Sequence, residues 1–372
     1  MNISSYESHL GLILPDHYVS EDFFPLEMQR VFEPSWLCVG FTQDLRNDQD
    51  FITAQIGERG IVVQNFDGEL SAFRNVCSHR YSRIQTDRSG NRPLQCPYHG
   101  WTYDSKGTPC GITLNRQCFG FEDSEKALLA LQKYAIDTVG HFVFVRMSTE
   151  GPSLKEFLGN FYDDLLHVSE VCPDRFESTS FDWAANWKVG MDNAAEAYHV
   201  PFVHPDTFGV ILPLDLEITT DAEHSRYTGH LKDASINWWR NVQKAINLQP
   251  SQLYPEYSNF LIFPNIVVTY SFGAFLTFQT FDPVNTNSLR INSTAWLAKN
   301  NGRAARSMVV DSLKNFSEVV RNEDRNICAH VQAGLRDMPS NRPLMLGKLE
   351  GRIAHFQRAY INRMVGSLND LR

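Results

Sequence analysis

The sequence has little positive charge and no long apolar run. Its 34 Lys and Arg residues face 43 Asp and Glu residues, which gives a formal net charge of -9 at pH 7. A nucleic-acid-binding surface needs a basic patch, so we expect no nucleic-acid partner. A membrane helix needs about 20 apolar residues, and the run at 10–14 is short and lacks a preceding basic region. We therefore expect neither a secretory signal nor a membrane segment.

Cysteine is also scarce, with 7 residues in a chain of 372. An odd number spread over such a length argues against a disulfide framework and favours a reduced, cytoplasmic setting. Five of the cysteines have no metal-binding neighbours, and we expect them to be small buried core residues. These are Cys38, Cys110, Cys118, Cys172 and Cys328.

The chain divides into three segments by its residue patterns. Residues 1–40 are expected to form a helical lead-in that packs with the last segment. Residues 41–150 contain short β-type runs separated by turn signals, which predicts a small all-β domain. Residues 151–372 predict an α+β domain, because strands are followed there by helices. Its predicted elements are a helix at 186–199, strands at 262–271, 274–281 and 289–296, and helices at 304–335 and 345–365.

Two short Cys/His motifs lie in predicted loops of the β domain. Cys77 and His79 are followed, after 16 intervening residues, by Cys96 and His99. Four such ligands suit either a structural zinc ion or a Rieske [2Fe–2S] cluster. Classical zinc fingers pair Cys with Cys and His with His, whereas each loop here supplies one of each. The arrangement therefore favours a Rieske cluster, with both cysteines on one iron and both histidines on the other.

A second group of metal-binding residue types follows the predicted helix at 186–199. Glu196 and His199 are three residues apart, which places them on one helix face. Pro201 ends the helix, and the chain turns to bring His204 back. Two histidines and one carboxylate form the facial triad of non-haem Fe(II) oxygenases, which leaves open positions for O2.

The missing carboxylate is expected on the predicted helix at 304–335. Asp324 lies near the centre of an apolar stripe, where a carboxylate is costly unless it binds a cation. Glu323 lies further from that stripe and is the competing ligand. Asp206 follows His204 too closely to complete a facial set. We therefore predict Asp324 as the third ligand.

These motifs resemble those of the Rieske non-haem iron oxygenase α-subunits, the aromatic-ring-hydroxylating family. The resemblance extends over nearly the full length. It is carried by residues 74–80, 96–101, 186–205, 322–324 and 332–335.

The resemblance implies an N-terminal Rieske domain and a C-terminal helix-grip (START-like) catalytic domain. It implies that Cys77, His79, Cys96 and His99 bind the cluster. It likewise implies mononuclear iron ligands, which are His199, His204 and Asp324.

The family places an acidic residue, usually Asp in ring dioxygenases, three positions before the first iron histidine as a bridge between the two sites. This chain has Glu196 there and so is similar to the branch of carnitine, choline, betaine and stachydrine oxygenases. The expected reaction is hydroxylation or oxidative demethylation of a small aromatic acid or quaternary amine. Ring cis-dihydroxylation, within aromatic hydrocarbon catabolism, is the alternative. Tyr81 stands where the family has a small residue.

Electrons for O2 reduction must come from outside the chain. No Gly-x-Gly-x-x-Gly follows a predicted strand, so NAD(P)H is expected to act through a separate flavin and iron–sulfur reductase, with or without a ferredoxin. A homotrimer is expected, with each cluster serving the iron of a neighbouring subunit. A Rieske electron carrier without oxygenase activity is the rival class, but it needs only about a hundred residues and no second site.

Several aromatic residues of the C-terminal part have two interpretations. Phe272, Phe275, Phe278 and Phe281 are expected mostly in the core, although they could line a pocket. The pair at 238–239, both Trp, fits a surface contact or a pocket wall equally well.

Overall fold

The structure is a computed structural model, and it describes residues 9–212, 217–301 and 303–365. The helices are α1 (Pro15–Val19), α2 (Phe23–Glu27), α3 (Asn115–Cys118), α4 (Asp123–Leu128), α5 (Leu154–Leu158), α6 (Phe161–Val171), α7 (Trp187–Ala194), α8 (Val200–Val203), α9 (Phe208–Ile211), α10 (Asp233–Ile246), α11 (Arg303–Asp337) and α12 (Gly351–Val365). A π-helical turn at Met28–Phe32 and 3-10 turns at Thr42–Asp44 and Lys348–Glu350 complete the helical segments among these residues.

The strands are β1 (Leu37–Phe41), β2 (Asp50–Ile56), β3 (Arg59–Phe66), β4 (Glu69–Arg74), β5 (Ser89–Asn91), β6 (Thr102–Tyr103), β7 (Pro109–Gly111), β8 (Lys133–Val139), β9 (Phe142–Arg146), β10 (Asp174–Trp183), β11 (Glu217–Asp221), β12 (His224–Gly229), β13 (Tyr257–Ile262), β14 (Ile266–Ser271), β15 (Phe275–Asn285) and β16 (Ser288–Leu297). The chain forms two compact units. Phe32–Phe157 make up the first, here called the β unit, and the remainder makes up the second, here called the mixed unit. The fold is thus α+β, as predicted.

The β unit is built on an antiparallel sheet in the order β1-β9-β8-β4-β3-β2-β5, with β6 and β7 as a separate pair. Its alternating apolar side chains form a core that includes Phe51, Phe73 and Trp101. Cys77 and Cys96 belong to the same core. Both cysteine loops are therefore anchored in packed structure, one after β4 and the other before β6.

The mixed unit contains a seven-stranded sheet in the order β10-β16-β15-β14-β13-β12-β11. Side chains alternate between its faces, so one residue in two on each strand points to the same side. One row across three strands is Thr179, Ser293 and Gln279. The 35-residue helix α11 and this sheet both contribute side chains to one cavity, which is the expected helix-grip arrangement.

Three predicted elements differ from the structure. The predicted helix at 186–199 ends at Ala194, because the Glu196 side chain accepts hydrogen bonds from the backbone N–H groups of Tyr198 and His199. Such bonds offer the backbone an alternative to the helix. The predicted strand at 262–271 is a hairpin, with Pro264 in its turn. The lead-in is not wholly helical, since β1 occupies its last residues; residues 1–8 lie outside the described part.

Candidate metal centres and their cavity

The two Cys/His loops of the β unit have the same backbone geometry. In each, the cysteine carbonyl accepts a bond from the N–H four residues later, and the cysteine N–H donates to the carbonyl five residues later. The distances are 3.0 Å for Tyr81 to Cys77, 2.8 Å for Cys77 to Ser82, 2.9 Å for Gly100 to Cys96 and 2.8 Å for Cys96 to Trp101. The fourth position after each cysteine has a positive φ, 60° at Tyr81 and 71° at Gly100.

The loops bring the four predicted cluster ligands together. Cys77 and Cys96 are buried, and the His79 and His99 rings lie 4.7 Å apart between centroids. His79 also stacks on Trp101 at 4.8 Å. Its Nδ1 atom is buried without a hydrogen-bond partner in the described part of the chain. A buried polar atom in that state calls for a ligand, and a metal bound there would satisfy it.

The protonation of these four residues and their distribution between the two loops both indicate which metal group they fit. Burial raises the pKa of the Cys77 thiol, and burial together with the charges of His99 and Arg80 lowers the pKa of His79. A neutral imidazole is ready to bind metal, whereas the thiol must lose its proton on binding. Each loop supplies one cysteine and one histidine, so each can reach both irons of a two-iron cluster, which suits the pair of loops better than one zinc ion.

The mixed unit brings together the three predicted iron ligands. The ligand atoms of His199, His204 and Asp324 all lie within 4.8 Å of one another. Asp324 Oδ1 is 2.9 Å from Nε2 of His204 and 3.8 Å from Nε2 of His199. Asn193 Nδ2 donates to the same Oδ1 at 2.9 Å. Two imidazoles and one carboxylate are the donor set that suits a non-haem Fe(II) ion with open positions.

Each of these histidines is held on its other nitrogen by a different glutamate. Glu196 Oε1 accepts a hydrogen bond from Nδ1 of His199. Glu323 Oε2 lies 2.7 Å from Nδ1 of His204, and the hydroxyl of Thr207 donates to Oε2 at 3.0 Å. Carboxylates in this position fix the ring orientation and keep Nε2 available for a metal.

Burial lowers the pKa of His204, but the hydrogen bonds and charges of Asp324 and Glu323 more than offset it and leave this pKa raised.

The sequence predicted Glu323 only as a rival ligand and did not predict its contact with His204. It also missed Asn193 and Thr207. The run at 322–324 contained a signal for the Glu323 contact. Adjacent acidic residues on a helix point in directions about 100° apart, so Glu323 and Asp324 can approach the same site from different sides. Asp206 is exposed and lies outside the convergent set.

A buried polar network lies behind α7. Glu27 accepts hydrogen bonds from Lys188 and, at 2.8 Å, from Tyr360. Tyr18 donates to Asp192 Oδ2 at 2.5 Å. Burial raises the pKa of Asp192 to about 7, against the opposing effects of the Tyr18 hydrogen bond and the Lys188 charge. Burial also lowers the pKa of Lys188 despite its pairing with Glu27. These groups tie α7 to the lead-in helices.

A cavity of about 560 Å³ opens onto the triad, within the size range of small-molecule sites. Its aromatic lining consists of Trp183, Phe208, Tyr227, Trp238, Tyr257, Phe272, Phe275, Phe281 and Phe316. Polar residues of the sheet interrupt this lining, and these are Asn259, Thr269, Ser271, Thr277, Gln279 and Ser293. The expectation that most of the four phenylalanines are core is confirmed, since Phe275, Phe278 and Phe281 are buried, and three of the four, Phe272, Phe275 and Phe281, also line the cavity. Phe278 alone lies outside the lining.

Two further findings concern the remaining cysteines and the apolar character of the helices. Cys110 and Cys118 are exposed and not buried, because they lie on the short segments β7 and α3 at the surface of the β unit. In the described part of the chain, no helix combines the length and apolar character needed to cross a membrane.

Comparisons with known proteins give one family match in the region of each candidate centre. Residues 35–132 match the model of the Rieske [2Fe-2S] domain, and residues 173–366 match that of the ring hydroxylating alpha subunit (catalytic domain). The chain is 26% identical over 355 residues to the carnitine monooxygenase oxygenase subunit of Acinetobacter pittii, covering 94% of this chain and 92% of that protein. It is 33% identical over 227 residues to the glycine betaine monooxygenase oxygenase subunit of Chromohalobacter salexigens, covering 59% and 49%.

Solved structures share the fold. The quaternary ammonium Rieske monooxygenase CntA aligns with a TM-score of 0.80 at 22% identity, covering 97% of each chain. Naphthalene 1,2-dioxygenase from Rhodococcus sp. aligns with a TM-score of 0.74 at 17% identity, covering 95% of this chain and 94% of that one. The chain therefore belongs to the ring-hydroxylating α-subunit family and is the oxygenase component of a multicomponent, O2-dependent enzyme with a Rieske cluster and a mononuclear iron.

Proposed function

We propose that this protein hydroxylates, or oxidatively demethylates, a small organic substrate held in the 560 Å³ cavity. The observation that supports this most is the convergence of His199, His204 and Asp324 at the wall of that cavity. These three residues would hold the mononuclear iron. Cys77, His79, Cys96 and His99 would hold the cluster. When bound, the cluster supplies single electrons and the iron supplies O2 reduction for attack on a C–H bond.

The side chains around the triad hold the ligands in position. Glu196 and Glu323 each fix one histidine ring through Nδ1, so both Nε2 atoms face Asp324. Asn193 holds the Asp324 carboxylate from the α7 side. Glu196 has a further role in this proposal. It would accept a second hydrogen bond from a cluster histidine, His79 or His99, and so link the two centres for electron transfer.

The proposed substrate classes are aromatic acids and quaternary amines. Relatives of this chain include enzymes named for carnitine, glycine betaine, toluate and anthranilate. The glutamate at 196, in place of the usual aspartate, supports mono-oxygenation. Ring cis-dihydroxylation within aromatic hydrocarbon catabolism is the second candidate, and the toluate 1,2-dioxygenase relative, 31% identical over 227 residues, favours it.

The proposed assembly is a cytoplasmic homotrimer in which each cluster serves the iron of a neighbouring subunit. The work on one similar structure, CntA, describes inter-subunit electron transfer for that enzyme. Exposed aromatic side chains flank both centres here and would be covered by such a contact. They are Tyr81 and Tyr98 beside the cluster loops, and Tyr198 and Phe202 beside His199. A flavin and iron–sulfur reductase, with or without a ferredoxin, would supply the electrons.

The proposed domain limits remain those of the sequence: a lead-in at 1–40, a Rieske domain at 41–150 and a catalytic domain at 151–372. The match at 173–366 falls within the proposed catalytic domain, and the match at 35–132 falls within the proposed Rieske domain apart from residues 35–40.

A substrate screen tests the proposed function. The purified protein, a surrogate reductase, NADH and O2 are incubated with aromatic acids and quaternary amines, and products are identified by mass spectrometry. We expect a product that carries one added oxygen, or that has lost a methyl group as formaldehyde. NADH oxidation that never depends on substrate, with no product from any compound, would contradict the proposal.

A further inference from the structure

Two hydrogen-bond donors in the wall of the cavity have no acceptor among the residues that the structure describes. Nη1 of Arg321 and Nε1 of Trp183 are both buried and unpartnered, and both residues line the cavity. Arg321 lies on the same face of α11 as Asp324, three residues earlier, so about 4.5 Å of helix axis separates them. Each donor side chain is also close to Phe181, with the guanidinium 5.2 Å from its ring and the indole 6.4 Å.

The nearest carboxylate does not satisfy Arg321. Glu177 Oε2 lies 3.7 Å from Nη1, which is an ion-pair distance but beyond hydrogen-bonding range. A buried donor without an acceptor is costly, more so when it is charged. A ligand carboxylate could accept two hydrogen bonds from a guanidinium, which is its preferred partner.

A second buried cation contacts two other residues of the cavity wall. Arg352 donates to Ser225 Oγ and Asn259 Oδ1, both at 3.0 Å, and its guanidinium lies 4.3 Å from the Tyr227 ring. In the described part of the chain no carboxylate pairs with it. Tyr227 and Asn259 both line the cavity. One aromatic face of the wall is thus already occupied by a cation of the protein, which weakens the wall as a cage for a ligand ammonium group.

The acidic side chains of the cavity do not favour a cationic ligand either. The carboxylates in its lining are Glu196, Asp206 and Asp324. Glu196 and Asp324 are bound to the two histidines, and Asp206 is exposed. Of the two cations next to the cavity, Arg321 therefore has a buried donor without an acceptor among the described residues and Arg352 has only neutral acceptors, while the buried carboxylates already have donors.

From this we infer that the substrate is a small carboxylic acid with an uncharged, apolar body. Its carboxylate binds Arg321, with Trp183 Nε1 as a further donor, and its body lies along the aromatic lining toward the triad. The inference rests on the proposed function and narrows its substrate class, separating aromatic acids from quaternary amines. Arg321 is then a specificity-determining residue.

Calorimetric binding to the purified, metal-loaded protein tests the inference. The probes are benzoate and phenylacetate, their neutral amides benzamide and phenylacetamide, and glycine betaine. We expect at least one acid to bind wild type about 10-fold or more tightly than its amide does, and Arg321→Gln to abolish that difference. Glycine betaine should bind more weakly than that acid.

Two variants separate anchoring from structural support. Arg325→Gln removes an exposed arginine one turn further along α11 and should leave the acid affinity unchanged. Glu177→Gln should preserve or strengthen acid binding, because it removes the competing charge. If the Arg321–Glu177 pair were purely structural, Arg321→Gln and Glu177→Gln would instead lose acid affinity alike. If Arg321→Gln does not fold, Arg321→Lys replaces it, and the acid affinity should fall because Lys cannot bind the carboxylate with two parallel hydrogen bonds.

The inference is overturned if no acid binds more tightly than its amide, or if the Arg321 variant binds the acid as wild type does. Tighter binding of glycine betaine than of every acid also overturns it. Iron and acid-labile sulfide are measured on the same samples. Failure of the proposed function would appear as missing iron or sulfide, whereas failure of this inference would appear in protein that contains both.

Discussion

Two glutamates play parallel parts at the two histidines predicted to bind iron, but they differ in their other contacts and proposed roles. Glu196 holds His199 and Glu323 holds His204, each through Nδ1. Glu323 is also bonded by Thr207. Only Glu196 is proposed as the bridge to the cluster, because it stands three positions before His199. The two residues therefore form a matched pair for separating ligand support from electron transfer.

For Glu196→Gln, we expect both metal centres to remain. In a single turnover with substrate and O2, however, the cluster should stay reduced, because the charged link to it is lost. The measurement is the cluster absorbance before and after O2 is added. Glu323→Gln is the control. It should lower iron affinity or activity by about 10–100-fold, as outer-shell changes do, while the iron-loaded fraction still oxidises its cluster. Normal cluster oxidation in Glu196→Gln would count against the bridge.

A second residue-scale prediction concerns Asp192, whose pKa burial raises to about 7. The folded state therefore binds a proton more tightly than the unfolded state does, and this carboxylate makes folding less favourable as pH rises from about 4 to above 7. Asp192→Asn should thus gain stability relative to wild type over that window, with little difference below pH 4. Thermal unfolding across pH measures it. Asp206→Asn, at an exposed carboxylate, should show no such trend, and a pH-independent difference for Asp192→Asn would contradict the account.

Much of the site could be predicted at this scale because ligand chemistry is local. Cys77, His79, Cys96 and His99 lie in two short motifs, and Asp324 was distinguished from Glu323 by its place on an apolar stripe. The contact of Glu323 with His204 could not be predicted in the same way. It depends on where the turn after Pro201 places His204 against α11, which is a tertiary property.

At the scale of elements, short irregular segments position His199 and His204, the two histidines predicted to bind the iron. Helix α7 ends at Ala194, and α8 begins at Val200. His199 and His204 flank α8 on either side. The predicted continuous helix failed here because Glu196 bonds the backbone after Ala194. A period-based prediction takes account of side-chain spacing but not of a side chain that competes for backbone N–H groups. Elsewhere, α11 was predicted closely, since its apolar stripe continues over many turns.

The turn after His204 is packed tightly enough to give a test at this scale. A Cβ added at Gly209 would lie 2.7 Å from the carbonyl oxygen of His204, which is backbone and cannot simply rotate away. We expect Gly209→Ala to displace His204 and reduce mononuclear iron content, with cluster absorbance unchanged. Iron analysis of the purified variant measures this.

Gly334→Ala is the control for that substitution. Gly334 lies exposed in α11, and no atom lies within 4 Å of an added Cβ. It should keep full iron content and gain about 0.5–1 kcal/mol in stability, the usual helix preference for Ala over Gly. Full iron content in both variants would mean that this turn does not set the position of His204.

At the scale of the whole molecule, the two centres lie in separately packed units of the chain. The sequence motifs predicted both centres, but residue patterns within one chain do not specify contacts between chains. The proposed homotrimer and the proposed path of the electron therefore need their own experiment.

Mixed assemblies provide that experiment. Cys77→Ser removes a cluster ligand and Asp324→Ala removes an iron ligand, so each variant alone should be inactive. Co-expressed with two different affinity tags, they should form mixed trimers in which some intact clusters face intact irons of a neighbour. We expect doubly tagged material to recover a fraction of wild-type turnover. Inactive mixed trimers would show that electrons pass within one chain.

The central claim, that one chain holds a Rieske cluster at its Cys/His loops and an iron at His199, His204 and Asp324, is tested most directly by counting metals and sulfide. Wild type should contain about three irons and two acid-labile sulfides per chain, two irons and both sulfides in the cluster and one iron at the triad. Cys96→Ser should retain only the mononuclear iron, and Asp324→Ala only the cluster. Zinc without sulfide in wild type, or loss of the mononuclear iron from Glu323→Ala but not from Asp324→Ala, would contradict the account.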